Sequence, residues 1–142
     1  MTEQQFHGVP SPFDKLIGLR LEEASAERVV AVLAVVPELL QSFGVVHGGA
    51  YTAAVETTAS VGAYLAMEGR VMVVGISNHT EFLRPVREGA LRVEATPLAR
   101  GQTTQLWQVA ISDERGRLVA HGEVRVMHLD GPAPPAPPPA LG

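Results

Sequence analysis

The sequence predicts an α+β domain in which a curved antiparallel sheet wraps around one long central helix. Residues 49–68 are almost free of charge and rich in alanine, which is typical of a helix that is covered on every side. Two segments rich in β-branched residues come before this run and four come after it, which indicates successive strands. Successive antiparallel strands around one hydrophobic helix form an α+β domain. A chain of 142 residues is long enough for one such core.

Three elements are expected before the long helix. Ser11 followed by Pro12 has the order of an N-cap and a first helical residue, so we expect a short helix that ends at Ile17. Residues 19–24 then have the composition of a strand. Residues 28–36 are dominated by valine, which favours a second strand that is buried on both faces.

Four strands are expected after the long helix, and we expect them to follow one another as a meander. In the third of these strands Trp107, Val109 and Ile111 alternate with other residues, so they share one face. Residues 113–116 have the composition of a hairpin loop between the third and the fourth strand. The four expected strands are residues 71–83, 91–100, 103–112 and 118–128.

The composition delimits the domain and excludes several classes of function. We expect one domain over residues 1–129, with residues 1–17 as an extension that contains the short helix. Residues 130–142 are mostly proline and alanine, which predicts a tail that is disordered or polyproline-like. A net charge of -4 argues against nucleic-acid binding. The absence of cysteine from the sequence excludes disulfides, thiolate metal sites and cysteine nucleophiles.

The sequence also predicts where the protein works. It has no basic start followed by an apolar core, which a secretory signal would need. No apolar run approaches the roughly 18 residues of a membrane span. We therefore expect a cytoplasmic protein without membrane contact.

Residues 43–56 combine a helix start with a carboxylate. Gly48 and Gly49 open the alanine-rich run, so the first amides of the helix, which lack partners inside it, can hold a negative oxygen. Glu56 lies two turns farther along, on one stripe with Ser60. An amide donor and a carboxylate on one short element are the groups that acyl transfer needs.

Each of these residues also has a plainer interpretation. A single helical glutamate such as Glu56 usually lies on an exposed or subunit-facing strip. Gly48 and Gly49 are also suited to a tight turn alone. His47 either fixes the loop before the helix or holds a leaving group, and the residues alone leave this open.

Three blocks of the sequence resemble the hotdog-fold acyl-CoA thioesterases. The first is Gly-x-Val-His-Gly-Gly at residues 44–49, with Glu56 seven positions after the second glycine of the pair. The second block is residues 77–89 and the third is residues 101–104. The pattern is most similar to the branch that hydrolyses 4-hydroxybenzoyl-CoA with a glutamate. It is more distantly similar to the phenylacetate-pathway and dihydroxynaphthoyl-CoA thioesterases.

This resemblance implies an activity and an assembly. The activity is hydrolysis of acyl-CoA thioesters with an aromatic acyl group to the free acid and coenzyme A. Coenzyme A is part of the substrate, and no metal or other cofactor is implied; the five histidines in the sequence contain no metal-binding spacing either. The implied assembly is a homodimer with the active site at the subunit interface, joined into a homotetramer.

The resemblance also assigns roles to particular residues. Glu56 is implied as the base or the nucleophile, between which the sequence does not decide, and the Gly48 N–H is implied as the donor to the thioester oxygen. The remaining implied site residues are His47, Gln41 and Ser60 near the thioester, and Arg84, Gln102 and Thr103 at the nucleotide end of coenzyme A. Relatives have serine at the position of Gln102 and arginines after the last strand, where this chain has Leu129 and Asp130.

Two other functions stay open at this point. The first is a non-catalytic acyl-CoA-binding hotdog domain, which would be expected to lack a carboxylate on the helix. The second is a hotdog enoyl-CoA hydratase, which would need a histidine and a carboxylate poised at a β-carbon. The sequence has no Gly-x-Ser-x-Gly elbow, which argues against a serine hydrolase.

Overall fold

A long helix, α2 (Gly48–Ala66), lies against one antiparallel sheet of six strands in the computed structural model, which describes residues 11–130. Residues 1–10 of the predicted extension and residues 131–142 of the predicted tail lie outside the described residues. The other elements, in chain order, are helix α1 (Pro12–Ile17), strands β1 (Leu19–Ala24) and β2 (Val29–Ala34), a 3₁₀ turn (Pro37–Leu39), and strands β3 (Met72–Phe82), β4 (Ala90–Arg100), β5 (Thr104–Ser112) and β6 (Leu118–Leu129).

Local end signals explain why these elements match the expected ones to within about two residues. Helix α1 begins after Ser11, whose Oγ accepts a hydrogen bond from the Asp14 N–H (3.1 Å), and ends at Gly18, which has a φ of 78°. The short helix is therefore confirmed. The shared face of β5 is confirmed as well, since its central residues Trp107 and Val109 are fully buried.

The prediction of a four-strand meander is wrong at β3. The strand order is β1-β2-β4-β5-β6-β3, so β4, β5 and β6 form a meander while β3 pairs with β6 at the edge of the sheet. Residues 83–89, which join β3 to β4, are too many for a tight hairpin and instead cross the ends of the intervening strands. The loop before α2 holds this crossing in place, because the Val46 N–H donates to the Val86 carbonyl (2.8 Å).

Helix α2 lies close to the sheet because glycine is present at the contact points. A Cβ atom on Gly62 would come within 2.4 Å of the Trp107 ring, and a Cβ atom on Gly122 of β6 would come within 2.7 Å of Val55. Most of the helix is buried as expected. The exception is the stripe that contains Glu56, which is only half-buried. One face of α2 is thus left partly open in the single chain.

Candidate active site

The start of α2 leaves one backbone amide without an acceptor. His47 is the N-cap, and its Nδ1 accepts a hydrogen bond from the Gly49 N–H (2.7 Å). The Gly48 N–H finds no acceptor in the part of the chain that the structure describes. Free amides at a helix N-terminus carry partial positive charge, so this position favours an anionic oxygen. His47 thus fixes the helix start, which was one of its two predicted roles.

A cavity of about 340 Å³ lies beside Gly48, a volume within the range of small-molecule sites. Its wall is mostly apolar, with the Gln41 amide and the Arg84 guanidinium among its polar groups. The Tyr51 hydroxyl is buried and has no hydrogen-bond partner among residues 11–130. The lining residues are Gln41, Val45, Val46, Gly48, Tyr51, Phe82, Leu83, Arg84 and Pro85.

Phe82, the last residue of β3, covers the Gly48 end of this cavity. Its ring centroid is 5.9 Å from that of Tyr51, and a Cβ atom on Gly48 would come within 2.7 Å of the Phe82 ring. The Phe82 side chain is 56% exposed, so it can shift without disturbing the core. Aromatic rings therefore form one wall of the cavity next to the free amide.

The carboxylate of Glu56 packs against strand β3. The Asn78 Nδ2 donates to Glu56 Oε2 (3.0 Å) and to the Thr52 carbonyl of α2 (3.2 Å). A Cβ atom on Gly75 would come within 1.9 Å of Glu56 Oε1, so the carboxylate occupies the space that a side chain at position 75 would need. Asn78 and Gly75 together define where the carboxylate lies.

The remaining residues predicted near the thioester have distinct positions. Gln41 lines the cavity, and its Oε1 accepts a hydrogen bond from the Phe43 N–H. Ser60 is half-buried on the stripe of Glu56, but its hydroxyl has no hydrogen-bond partner within residues 11–130. The structure therefore gives Glu56 a hydrogen bond from Asn78, not from Ser60.

A single chain does not bring Gly48 and Glu56 together. Eight residues of α-helix separate their backbones by about 12 Å. A thioester carbonyl whose oxygen lies against one amide cannot reach a carboxylate at that distance, because attack requires contact of about 3 Å. The two predicted chemical groups are thus present but apart.

The residues predicted for the nucleotide end of coenzyme A are also apart. Arg84 is exposed at the rim of the cavity and forms no ion pair among the described residues. Gln102 and Thr103 form the turn between β4 and β5, and their carbonyls accept hydrogen bonds from His128 Nδ1 (3.0 Å) and the His128 N–H (2.9 Å). This turn lies at the opposite end of the sheet from Arg84. The length of the strands places it roughly 25 Å from that residue.

Sequence reasoning missed Asn78, Gly75 and Tyr51 as site residues. A glycine inside an expected strand was the available signal, since it often marks a close approach. Asn78 gave no such signal because its contact depends on the fold of β3 against α2. Among residues 11–130, no group of three acidic or histidine side chains is arranged to bind a metal. None of the helices in these residues is long and apolar enough to cross a membrane.

Comparison with known proteins relates this chain and its fold to one family. Residues 43–120 match the family model of the thioesterase superfamily. The chain is 42% identical over 125 residues to the protein Rv1847 of Mycobacterium tuberculosis, covering 86% of this chain and 89% of that protein. The solved structure of that protein matches with a TM-score of 0.82, covering 87% of this chain and 99% of that one.

Two further relatives support the same relation. The structure of AziG of S. sahachiroi is 41% identical, with a TM-score of 0.82, and the match covers 84% of this chain and 97% of AziG. The 1,4-dihydroxy-2-naphthoyl-CoA hydrolase of Escherichia coli is 37% identical over 102 residues, which is 72% of this chain and 75% of that enzyme. The match to each of these proteins includes most of both chains.

Proposed function

The chain belongs to the thioesterase superfamily and is a thioester hydrolase with the hotdog fold, and from this premise we propose that it hydrolyses aromatic acyl-CoA thioesters. The observation that carries the proposal is the free Gly48 N–H at a helix N-terminus beside a mostly apolar cavity. This amide suits the oxygen of a thioester, and the helix dipole favours the negative charge that develops on that oxygen.

Glu56 supplies the second chemical group of the proposed reaction. As a base, its carboxylate takes a proton from water while the water oxygen bonds to the carbonyl carbon. As a nucleophile, it bonds to that carbon itself, and water later releases the acid. In either case the carbon–sulfur bond breaks and the thiolate of coenzyme A leaves and takes up a proton. Gln41 and His47 lie at the thioester end, where the His47 Nε2 remains free of the capping bond.

A second copy of the chain completes the proposed site. The separation of about 12 Å between the backbones of Gly48 and Glu56 on one helix supports an arrangement in which they serve different sites. β3 is the longer of the two edge strands of the sheet, with 11 residues against 6 in β1. A two-fold axis at the β3 edge brings opposite ends of two sheets together. Arg84 of one subunit then lies near Gln102 and Thr103 of the other.

We propose this arrangement as a homodimer and two such dimers as a homotetramer. The phosphate groups of coenzyme A are then held by an arginine and by polar groups of a turn, which suits phosphate oxygens. The reaction needs no metal or other cofactor, because water, a carboxylate and an amide suffice for thioester hydrolysis. The cytoplasm is the proposed location, since it has the acyl-CoA esters that serve as substrates.

The aromatic preference rests on the cavity wall and on a relative. The rings of Tyr51 and Phe82 stand next to each other at the free amide, and aromatic rings pack well against another flat ring. The Escherichia coli relative is named as a hydrolase of 1,4-dihydroxy-2-naphthoyl-CoA, which has an aromatic acyl group. The pair of aromatic rings and the named substrate of this relative both support an aromatic acyl group in this cavity.

The test measures free coenzyme A released from a panel of aromatic and aliphatic acyl-CoA esters. Glu56→Ala should lower kcat by at least about 10²-fold, since it removes the base or nucleophile. Glu22→Ala, which removes an exposed carboxylate on β1, serves as the matched control and should keep wild-type kcat. Near wild-type turnover in Glu56→Ala would refute the assignment. Binding of the esters without any release by the wild type would favour the acyl-CoA-binding domain, and a change in enoyl absorbance would favour the hydratase.

A further inference from the structure

We propose that Asn78 is a positioning residue that holds one oxygen of Glu56 and leaves the other, Oε1, as the reactive oxygen. The proposal rests on the proposed role of Glu56 as base or nucleophile. It starts from the hydrogen bond of 3.0 Å between Asn78 Nδ2 and Glu56 Oε2 and from the close approach of Oε1 to Gly75, where a Cβ atom would come within 1.9 Å. Neither residue belongs to the set that the sequence assigned to the site.

The hydrogen bonds of Asn78 fix the direction of its amide. The NH₂ group has two protons, and its two acceptors are Glu56 Oε2 (3.0 Å) and the Thr52 carbonyl (3.2 Å). The amide oxygen accepts a hydrogen bond from the Thr80 hydroxyl (2.8 Å). If the Asn78 amide were rotated by half a turn, its oxygen would lie against the Glu56 carboxylate and the Thr52 carbonyl, which both accept. Its NH₂ group would then lie near the Thr80 hydroxyl. The two acceptors therefore keep the donor side of Asn78 on the carboxylate, and the Thr80 hydroxyl adds a third hydrogen bond that holds the amide in place.

A bulge in β3 brings Asn78 and Gly75 to the same face. Residues three apart on a regular strand point to opposite faces of the sheet. The register of β3 against β6 shifts between Gly75 and Ser77, so Ile76 is an extra residue with no partner in the ladder. The extra residue reverses the alternation once. Gly75 and Asn78 consequently both face α2, where Glu56 lies.

The two oxygens of the carboxylate have different surroundings. Oε2 accepts a charge-assisted hydrogen bond from Asn78, which restricts its movement. Oε1 has no donor among residues 11–130 and lies above the bare α-carbon of Gly75. The lone pairs of Oε1 are therefore free for a water proton or a thioester carbon. The strand side of the site, not the helix, determines which oxygen reacts.

Asn78 also joins α2 to β3 through the Thr52 carbonyl, so a test has to separate positioning from support of the fold. Asn78→Ala should lower kcat by about 10- to 100-fold with KM within about two-fold of wild type, because a displaced catalytic group reduces turnover more than binding. Asn78→Asp keeps the shape of the side chain but replaces the donor with a second carboxylate, and it should lower kcat at least as much. Gln108→Glu, the same amide-to-acid change on the opposite face of the sheet, is the matched control.

The decisive measurement is a double-mutant cycle with Glu56→Ala. If Asn78 acts through Glu56, Asn78→Ala should change the residual rate of the Glu56→Ala variant by less than about two-fold. An equal loss in both backgrounds, with Glu56→Ala itself slow, would assign Asn78 to support of the fold and overturn this inference alone. Wild-type turnover in Glu56→Ala would overturn the proposed function and this inference together.

Two further variants keep the inference testable if Asn78 variants fold poorly. Thr80→Val removes the hydroxyl that donates to the Asn78 amide oxygen while keeping a β-branched side chain, and it should lower kcat by about three- to ten-fold with an unchanged melting temperature. Gly75→Ala places a methyl group where Oε1 lies, and it should lower kcat by about 10²-fold or more. Wild-type kcat in both variants would contradict the assignment of Oε1 as the reactive oxygen and of Asn78 as the residue that positions it.

Discussion

The backbone amide of Gly48 is open to a specific test because its neighbours tolerate proline. The preceding residue, His47, has φ of -64° and ψ of 136°, which is the extended conformation that a residue before proline adopts. Proline is also favoured in the first turn of a helix, where its missing N–H has no intrahelical partner to lose. A proline at position 48 therefore removes the proposed donor and keeps the helix.

Gly48→Pro is expected to lower kcat by about 10²- to 10³-fold, the usual cost of removing one donor to a developing oxyanion. Gly48→Ala is the matched control, since it keeps the amide and places a Cβ atom against the same Phe82 ring as the proline would. The measurement is coenzyme A release by both variants, with circular dichroism to verify the helix. Equal kcat in the two variants would show that the Gly48 amide is not the donor.

The Tyr51 hydroxyl is a second feature with measurable consequences. Burial raises the pKa of Tyr51 above its ordinary value of 10.0, and the hydroxyl has no partner among the described residues. Tyr51→Phe should therefore be neutral or stabilising by up to about 1 kcal/mol at pH 7, because an unpaired buried hydroxyl is costly. A stability loss of more than 1 kcal/mol would indicate a hydrogen bond that is absent from the single chain.

The pH dependence of this variant follows from the same pKa shift. Above about pH 10 the unfolded chain ionises Tyr51 while the folded chain resists ionisation, so the wild type loses stability as pH rises. The variant lacks this group, and its advantage over the wild type should grow as pH rises from about 10 toward the raised pKa of Tyr51 in the folded chain. Urea midpoints of both proteins at several pH values measure the difference. A difference in urea midpoint that stays constant with pH would contradict the raised pKa of Tyr51.

At the scale of elements, the sequence allowed the helices and strands to be predicted because their signals are local. The cap at Ser11 and the left-handed Gly18 delimit α1, and the glycine pair at residues 48–49 marks the start of α2. Alternation of apolar residues identified the buried face of β5. Hydrophobic pattern and end signals both act over a few residues, so a single sequence contains them.

The place of β3 could not be predicted from the sequence because it depends on distant pairing. Residues 83–89 allow either a wide turn or a crossing, and the crossing depends on contacts with distant residues, such as the hydrogen bond between Val46 and Val86. The bulge at Ile76 likewise depends on the register with β6. Because Asn78 faces Glu56 only through this register, the motif residues were predictable while the residue that holds the carboxylate was not.

At the scale of the whole molecule, the single chain has every predicted group of the site but in two separated halves. Gly48, the cavity and Arg84 lie at one end of the sheet, and Gln102 and Thr103 lie at the other. Glu56 lies between them on the half-buried stripe of α2. An assembly with a two-fold axis makes two complete sites from such halves. This division leads to a prediction about mixed assemblies.

Mixing Glu56→Ala subunits with Gly48→Pro subunits should restore activity that neither variant has alone. In a mixed dimer one site receives both wild-type groups and the other receives neither. With random mixing half of the dimers are mixed, so about a quarter of wild-type activity is expected. The measurement is coenzyme A release after the two variants are unfolded and refolded together.

The control mixes Glu56→Ala subunits with subunits that have both substitutions, which provides no wild-type Glu56 and should remain inactive. Recovery in the first mixture alone places Gly48 and Glu56 of one site on different subunits. If the first mixture also stays inactive while wild-type protein refolds fully, each site is built within one chain. That outcome would contradict the proposed interface.

The extra residue in β3 determines how this protein tolerates changes in its length. The Ile76 side chain is 49% exposed, so many substitutions there should leave the fold intact. Deleting Ile76 would make β3 a regular strand in which Gly75 and Asn78 are two positions apart, so both would still face α2. Such a chain would lose the bulge and still keep Gly75 and Asn78 on the face where Glu56 lies. A scan of substitutions and a scan of deletions would thus both rank Ile76 as dispensable, because this extra residue has no partner in β6.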